Sequence, residues 1–411
     1  MNTAVRLGAR GSGLEARADS NPRPEASSRQ PEDVPFSPPA IGDGEIAEVI
    51  ATLESGWLSS GPRVRRFEAE FAEFIGAPAA IAVNSCTAAL HLSLVAAGVG
   101  PGDEVITTPL TFCSTANVVV HCGATPVFAD VDPATGNLDP AAAEAAITPR
   151  TRAIIPVHYG GRPADVAAFA DLARRHGLIT IEDAAHCVEG IAGGRKIGTT
   201  GDFTCFSFYA TKNLTTGEGG MVTTPSVAAA EQVRLSSLHG MTRNAWSRYE
   251  RPGVAHYDVV LPGFKYNMSD LQAAIGLHQL ASLPWHFARR IRISDRYDDG
   301  LADLPFEAFA PIPERDVHAR HLYTILVDPD RAGVTRDDIA SRLAVAGIAT
   351  SVHFPPVHLH SYYRSRFGTG RGQFPHAERI ADCVLSLPQS PALSDAQVDT
   401  VIRAVVRAVR G

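Results

Sequence analysis

The sequence predicts an α/β protein with a large domain on a mostly parallel β-sheet and a small C-terminal α+β domain. Short apolar segments alternate with amphipathic helical segments from about residue 62 to residue 238, as in a parallel sheet covered by helices. After Pro262 the pattern changes to a long helical stretch and then to mixed strand and helix segments. The 411 residues are 45% hydrophobic and 20% charged, which is typical of a globular protein.

The elements follow in order along the chain. Residues 1–40 are rich in Gly, Pro, Ser, Arg and Glu and hold almost no large apolar side chains, which predicts a disordered N-terminal extension. The large domain, 41–265, has predicted strands at 79–83, 104–107, 125–128, 152–157, 178–181, 203–208 and 221–224, with helices at 62–75, 87–98, 114–122, 163–176 and 226–238. The small domain, 266–411, begins with a helical stretch at 269–303 that we expect to break near Pro284, followed by a strand at 323–327 and helices at 336–346 and 394–408.

Charge and composition exclude several classes of partner. The chain has 37 Lys and Arg against 44 Asp and Glu, a net charge of −7, so we expect neither nucleic acid nor a membrane as a partner. No apolar run approaches the roughly 18–20 residues of a membrane span and no secretory signal begins the chain, which predicts a cytoplasmic protein. The six cysteines form no CxxC pair, so we predict free thiols and no structural zinc.

The segment after the first predicted strand carries groups that can hold a phosphate. Ser85, Cys86 and Thr87 open the following helix, where hydroxyls and free backbone N–H groups lie at the positive end of the helix dipole. An ordinary helix cap is the alternative interpretation.

Two later strand ends carry ionisable residues. Strand 178–181 runs into Glu182, Asp183 and His186, and a carboxylate there can bind a metal, a ribose or a protonated ring nitrogen, or simply cap a helix.

Strand 203–208 runs into Lys212 and the glycine-rich turn 217–220. A partly desolvated lysine has a lowered pKa and can act as a nucleophile in Schiff-base chemistry, although an exposed loop lysine is the alternative.

Two other patterns do not predict a site. Gly98, Gly100 and Gly102 follow a helix instead of a strand, so they are not a dinucleotide-binding fingerprint, and a nicotinamide dehydrogenase is excluded. His353, His358 and His360 lack accompanying carboxylates or cysteines at ligand spacing, so we predict no metal site and expect a substrate-facing or structural role.

Taken together, five motifs resemble the DegT/DnrJ sugar aminotransferases of the fold-type I pyridoxal phosphate enzymes. The resemblance runs from about residue 35 to the end of the chain and implies the aspartate aminotransferase-like fold. The motifs are Gly-Trp-Leu-Ser-Ser-Gly-Pro at 56–62, Asn-Ser-Cys-Thr-Ala-Ala-Leu at 84–90, Glu-Asp-Ala-Ala-His at 182–186, Ser-Phe-Tyr-Ala-Thr-Lys at 207–212 and Gly-Glu-Gly-Gly at 217–220.

The resemblance also implies a role for individual residues. Lys212 is expected to form the Schiff base with pyridoxal phosphate, and Asp183 to pair with the ring nitrogen. Further cofactor contacts are implied for Ser85, Cys86, Thr87 and Ser207 around the phosphate, His186 on the 3-hydroxyl side and Phe112 stacked on the ring. Substrate contacts are expected from Tyr209, His353 and His358. The family forms homodimers with shared sites, so either Lys265 or Asn267 is expected to reach the phosphate of the partner subunit.

The implied reaction moves an amino group from L-glutamate to a nucleotide-linked 4-keto sugar. Three segments are most similar to the branch that forms UDP-4-amino-4-deoxy-L-arabinose, namely Ile147–Tyr159, Pro262–Met268 and Val352–Phe354. This similarity implies a 4-keto-pentose for natural-product or cell-envelope glycosylation. Related dehydratases have histidine where this chain has Lys212, so the resemblance favours a transaminase. The alternatives are an aminotransferase for a keto-cyclitol or a 3-keto sugar, and a catalytically silent relative acting as a sensor or binding protein.

Overall fold

The large part of the molecule is built on a seven-stranded sheet. The structure is a computed structural model that describes residues 33–242 and 257–410. Its strands are β1 (Ala80–Val83), β2 (Glu104–Thr107), β3 (Thr125–Phe128), β4 (Thr151–Ile155), β5 (Ile179–Asp183), β8 (Phe203–Ser207) and β9 (Gly220–Thr223), with a separate hairpin of β6 (Ile191–Ala192) and β7 (Arg195–Lys196). The strand order is β1-β9-β8-β5-β4-β2-β3, and all neighbouring pairs are parallel except those of β9, which runs antiparallel to β1 and β8. The mostly parallel sheet is therefore confirmed.

Apolar side chains on helices and strands form cores on both faces of this sheet. Phe67 and Phe71 pack with Phe206 and Phe208 in one core, while Leu90 and its neighbours pack with the strands in another. Burial on both faces explains why the strands are continuous apolar runs. The helices of this part are α1 (Asp43–Ser55), α2 (Pro62–Ile75), α3 (Cys86–Ala96), α4 (Ser114–His121), α5 (Pro140–Ala145), α6 (Val166–His176) and α7 (Val227–Ser237).

A long helix, α8 (Asp270–Leu301), follows without the break expected at Pro284. Ser269 caps its start through a capping box with Gln272. Pro284 lies on the exposed face, whereas Leu283 and His286 beside it are buried. Packing of the buried face therefore outweighs the backbone hydrogen bond that a proline removes, and the predicted break is wrong.

The C-terminal part has a core of its own. Strands β10 (Tyr323–Leu326) and β11 (Val384–Leu387) pair antiparallel, and apolar side chains of α8 pack with them. Contacts join the described chain from Val34 onward into one compact unit, and the division into domains at residue 265 stays a prediction. The helices are α9 (Pro329–Ala332), α10 (Arg336–Val345), α11 (Ser361–Phe367), α12 (Pro375–Cys383) and α13 (Asp395–Arg410).

The predicted N-terminal extension ends earlier than residue 40. Residues 1–32 lie outside the described residues, so that part of the prediction stays untested. Val34, however, is 1% exposed, and it exchanges backbone hydrogen bonds with Gly347 and Ala349. Ser37 donates to the carbonyl oxygens of Thr211 and Gln389. These bonds fix 34–40 on the protein, so disorder was the wrong prediction for that segment.

Two features, a membrane-spanning helix and a metal-binding cluster, are not found in the part of the chain that the structure describes. Within 33–242 and 257–410, no helix has the length and apolar character that a membrane crossing needs. The same residues contain no group of three or more His, Cys, Asp or Glu side chains placed to hold a metal ion.

Candidate active site

A cavity of about 730 Å³ opens at the carboxyl ends of β5 and β8, where open α/β sheets bind their ligands. The sheet brings strand ends together that are far apart in the sequence. Most of the predicted site residues line this cavity, namely Ser85, Cys86, Thr87, Phe112, Asp183, His186, Ser207, Tyr209, Lys212 and His353.

Lys212 lies in the turn between β8 and β9. Its backbone N–H donates to the carbonyl oxygen of Tyr209 over 2.9 Å, which holds the start of the turn. Burial lowers the pKa of the Lys212 amine to about 8, and the nearby Asp183 carboxylate only partly opposes this. An amine with that pKa is available as a nucleophile near neutral pH.

Asp183, the last residue of β5, is held by a chain of two threonines. The Thr115 hydroxyl, at the start of α4, donates to Asp183 Oδ2 over 2.8 Å. Thr111 then lies 2.8 Å from the Thr115 oxygen and donates to it, because the one Thr115 proton is already used. Burial raises the pKa of Asp183, while the Thr115 hydrogen bond and the backbone N–H of Ala185 act to lower it. The carboxylate is thus fixed on the cavity wall.

The N-terminus of α3 forms a second wall. Ser85 caps the helix by accepting the N–H of Ala88 over 3.1 Å, and Thr87 lies in the first turn, where backbone N–H groups lack partners within the helix. Gly220 of β9 passes so close that a Cβ there would lie 2.5 Å from the Ser85 carbonyl carbon. Glycine at this position therefore lets the strand approach the helix start, and Ser207 ends the adjoining strand. This arrangement suits a bound phosphate.

The C-terminal part supplies rings to the remaining wall. His186 stacks on Phe354, at 5.8 Å between ring centroids, and lies against the tilted ring of His321, at 4.2 Å. Burial keeps the pKa of His186 well below its ordinary value. His353 faces His186 edge-on, and the Ser386 hydroxyl lies 2.8 Å from its Nδ1. Burial also lowers the pKa of His353 to about 4, so His186 and His353 are both neutral near neutral pH.

Comparison with known proteins identifies the family. The model of the DegT/DnrJ/EryC1/StrS aminotransferase family matches residues 39–406. The chain belongs to this family. The Bacillus subtilis spore coat polysaccharide biosynthesis protein SpsC is 53% identical over 379 residues, which are 92% of this chain and 97% of SpsC.

Two solved structures show the same architecture. Spr1654 from Streptococcus pneumoniae in its PMP form superposes with a TM-score of 0.86 at 34% identity, covering 92% of this chain and 99% of that one. DesI, determined in the presence of its TDP-sugar product, gives a TM-score of 0.82 at 34% identity, covering 92% and 94%. The protein is thus a fold-type I, pyridoxal phosphate-dependent sugar aminotransferase, as predicted.

The cavity of this family member fits the cofactor. His186 Nδ1 is buried and has no hydrogen-bond partner among the described residues, so a polar group of a ligand can satisfy it. Lys212 supplies a free amine and Asp183 supplies a carboxylate. The helix N-terminus at Ser85 provides a position that can bind an anion. Phe112 is 58% exposed within the cavity and Tyr209 is 47% exposed, so both rings are open to a ligand.

Three predicted residues do not line the cavity. His358 is fully buried, with its Nε2 3.1 Å from the Glu378 carboxylate, so it does not face the cavity as expected of a substrate contact. His360 lines the wall in its place. Lys265 donates to Asn267, whose amide in turn donates to Ser60 over 2.6 Å. Asn267 lines a separate cavity of about 380 Å³.

Besides His360, sequence reasoning missed Thr111, Thr115, His321 and Phe354 as residues of the site. Thr111 and Thr115 follow β2, another carboxyl strand end, and that position was the available signal. His321 and Phe354 reach the cavity from the C-terminal part. Phe354 belongs to the segment Val352–Phe354 that carries the family resemblance, but no local pattern in the sequence marks His321.

Proposed function

We propose that this aminotransferase moves the amino group of L-glutamate to a nucleotide-linked 4-keto sugar, giving a 4-amino-4-deoxy sugar. The observation that carries the proposal is a lysine with a free amine beside a fixed carboxylate, a helix N-terminus and neutral histidines in one cavity. We keep the 4-keto-pentose and the likeness to the UDP-4-amino-4-deoxy-L-arabinose branch as predictions within this proposal, because the comparisons establish the family only.

Each residue has a defined task in this reaction. When bound, pyridoxal phosphate carries the amino group between the two substrates and accepts the electron density released at the reacting carbon. Asp183 would hold a proton on the ring nitrogen, and Ser85, Thr87 and Ser207 would hold the phosphate. Lys212 Nζ would hold the cofactor between turnovers and, once released, carry a proton to and from the reacting carbon.

A nucleotide-linked sugar is supported by the relatives and by the size of the cavity. The name of SpsC refers to the synthesis of a polysaccharide, and DesI was determined with a TDP-sugar product. The cavity of about 730 Å³ lies within the usual range of roughly 300–1,000 Å³ for small-molecule sites. Phe112, Tyr209 and His360 on its wall offer rings for stacking and hydrogen bonding.

An absorption experiment tests the proposal. The purified protein with pyridoxal phosphate should show the visible absorbance of a lysine-linked cofactor, which glutamate should bleach and a nucleotide-linked 4-keto sugar should restore. Mass spectrometry of the sugar should show the amino product. UDP- and TDP-linked 4-keto-pentose and 4-keto-hexose form the substrate panel, with 3-keto sugars and a keto-cyclitol as comparisons. Glutamate bleaching with no acceptance of any nucleotide-linked 4-keto sugar would contradict the proposal.

We also propose a homodimer in which each active site takes a residue from the partner. The support is that Lys265 and Asn267 lie outside the cavity that holds Lys212, although the resemblance implies a cofactor contact for one of them. A K265A/N267A double variant should bind the cofactor weakly, and K212A should be inactive. Mixing the two variants should restore activity, because one site of the mixed dimer then has both Lys212 and the intact partner segment. Mixing without any gain would show that the sites are not shared.

A further inference from the structure

His321 is a buried histidine on the cavity wall to which the sequence and the family resemblance assign no role. It is 4% exposed, and its ring lies against that of His186. The residue stands just before β10 in the C-terminal part, whereas His186 follows β5 of the large sheet. The C-terminal part thus holds the His321 side chain against His186, on the cavity wall that the large sheet forms.

A buried hydrogen-bond network sets the tautomer of His321. The Asn213 amide nitrogen donates to Glu189 Oε2 over 2.8 Å and to the carbonyl oxygen of Ala319 over 2.7 Å. Asn213 Oδ1 therefore faces His321 Nδ1 at 3.0 Å, and this oxygen can only accept a hydrogen bond. Nδ1 must carry the hydrogen, so the neutral ring presents Nε2 as a lone-pair acceptor on its opposite edge.

The position of His321 is fixed as firmly as its tautomer. Arg290 Nη1, from the long helix α8, donates to the backbone carbonyl of His321 over 3.3 Å and to that of Gln389 over 3.0 Å. Asn213 is also the residue next to Lys212 in the chain, so the reactive lysine and His321 share one anchor. Such preorganisation is typical of groups that orient a substrate.

His321 also stays uncharged. Burial comes first among the causes that keep its pKa well below the ordinary value, and the neighbouring His186, Lys212, Arg290 and His353 act in the same direction. Glu189, the carboxylate of the network, contacts Asn213 and not the His321 ring. His321 therefore offers the cavity a neutral hydrogen-bond acceptor.

A neutral acceptor discriminates between the two substrates. Next to its reacting carbon, glutamate carries a carboxylate, which also only accepts hydrogen bonds and is repelled by a lone pair. A keto sugar carries hydroxyl groups near its reacting carbon, and a hydroxyl can donate. We propose that His321 Nε2 accepts a hydrogen bond from a hydroxyl group of the keto sugar. The inference rests on the proposed function, and it makes His321 a residue of the sugar step and not of the glutamate step.

The two half-reactions can be measured separately to test this. His321→Asn keeps a donor where Nδ1 lies but loses the Nε2 acceptor, whereas His321→Gln places an amide near the Nε2 position. In His321→Asn we expect glutamate to bleach the cofactor within about twofold of the wild-type rate. We expect the sugar KM, and the equilibrium affinity for the sugar measured through the cofactor absorbance, to weaken by about tenfold or more, since a buried sugar hydroxyl loses its partner. His321→Gln should recover part of that affinity. The exposed His376→Asn is the matched control and should match the wild type in both half-reactions.

The possible results distinguish a failure of this inference from a failure of the proposed function. Equal slowing of both half-reactions in His321→Asn, or no change in either, overturns the inference while leaving the proposed function in place. A wild type that is bleached by glutamate but accepts no keto sugar overturns the proposed function and the inference with it. Circular dichroism and the melting temperature of each variant show whether it is folded.

Discussion

Replacing Thr115 by valine should weaken the hold on Asp183 with little change of shape. The Thr115 hydroxyl is buried and donates over 2.8 Å to Asp183 Oδ2, so valine removes a hydrogen bond to a carboxylate. Such bonds contribute about 1.5–3 kcal/mol. At 1.36 kcal/mol per pKa unit, the pKa of Asp183, which burial already raises, should rise by about one to two further units.

Two measurements follow from that shift. If the whole free energy of the lost hydrogen bond is lost from cofactor binding, the Kd for pyridoxal phosphate should rise between about 10-fold and 100-fold, since 1.4 kcal/mol corresponds to tenfold. A carboxyl whose folded-state pKa is raised binds its proton more tightly in the folded protein, so its contribution to stability is present at low pH and is lost as the pH rises through the folded value. The cofactor-free Thr115→Val protein should therefore fall further below the wild-type melting temperature at pH 8 than at pH 5.

The conservative variant provides the control. Thr115→Ser keeps the hydroxyl and should stay close to the wild type in cofactor affinity and in melting temperature. The reasoning would be refuted by Thr115→Val with unchanged affinity, or by equal losses in the serine and valine variants, since the second result would trace the effect to packing of the methyl group.

Three further predictions concern the same cavity. Lys212→Ala should lose turnover and the visible cofactor absorbance while its circular dichroism spectrum stays that of the wild type; a normally active variant would contradict the assignment. Because the pKa of Lys212 is lowered to about 8, the rate at which pyridoxal phosphate attaches to the cofactor-free protein should rise with pH and level off above about pH 8, and a rate that is flat from pH 6 to 9 would argue against a free-amine nucleophile. Gly220→Ala should lower the free energy of unfolding by about 1–3 kcal/mol and weaken cofactor binding, because the added Cβ would meet the Ser85 backbone. Gly100→Ala adds a Cβ in open space and should change neither property. Melting temperatures and cofactor titrations of both variants check this.

Much of the sheet could be predicted because its strands are short apolar runs bounded by helices and turns. The predicted strand at 104–107 and helix at 62–75 match β2 and α2. α1 was not predicted, since Ile46, Ile50 and Leu53 are exposed and do not mark a buried face. The break expected at Pro284 followed the local rule for proline, and the packing that overrides this rule comes from distant segments.

Some residues of the site can be recognised from the local sequence, whereas others depend on how distant segments pack. Asp183 and Lys212 could be found because each follows a buried strand, and carboxyl strand ends converge in an open sheet. His358 and His360 are only two residues apart and look alike in the sequence, yet one binds Glu378 in the interior and the other faces the cavity. Only the fold of the C-terminal part decides between them.

The difference between residues at strand ends and residues placed by the C-terminal part also affects how substrate specificity arises. The residues that fit the cofactor come from the sheet and its strand ends, where short motifs can be recognised in one chain. The wall that faces them is built by His321, His353 and Phe354, which depend on the packing of the C-terminal part against the large sheet. Asn213, the neighbour of the reactive lysine, holds this wall through hydrogen bonds with the His321 ring and the carbonyl oxygen of Ala319. We therefore expect that changes in the C-terminal segments alter which keto sugar is accepted while the residues proposed to hold the cofactor stay as they are.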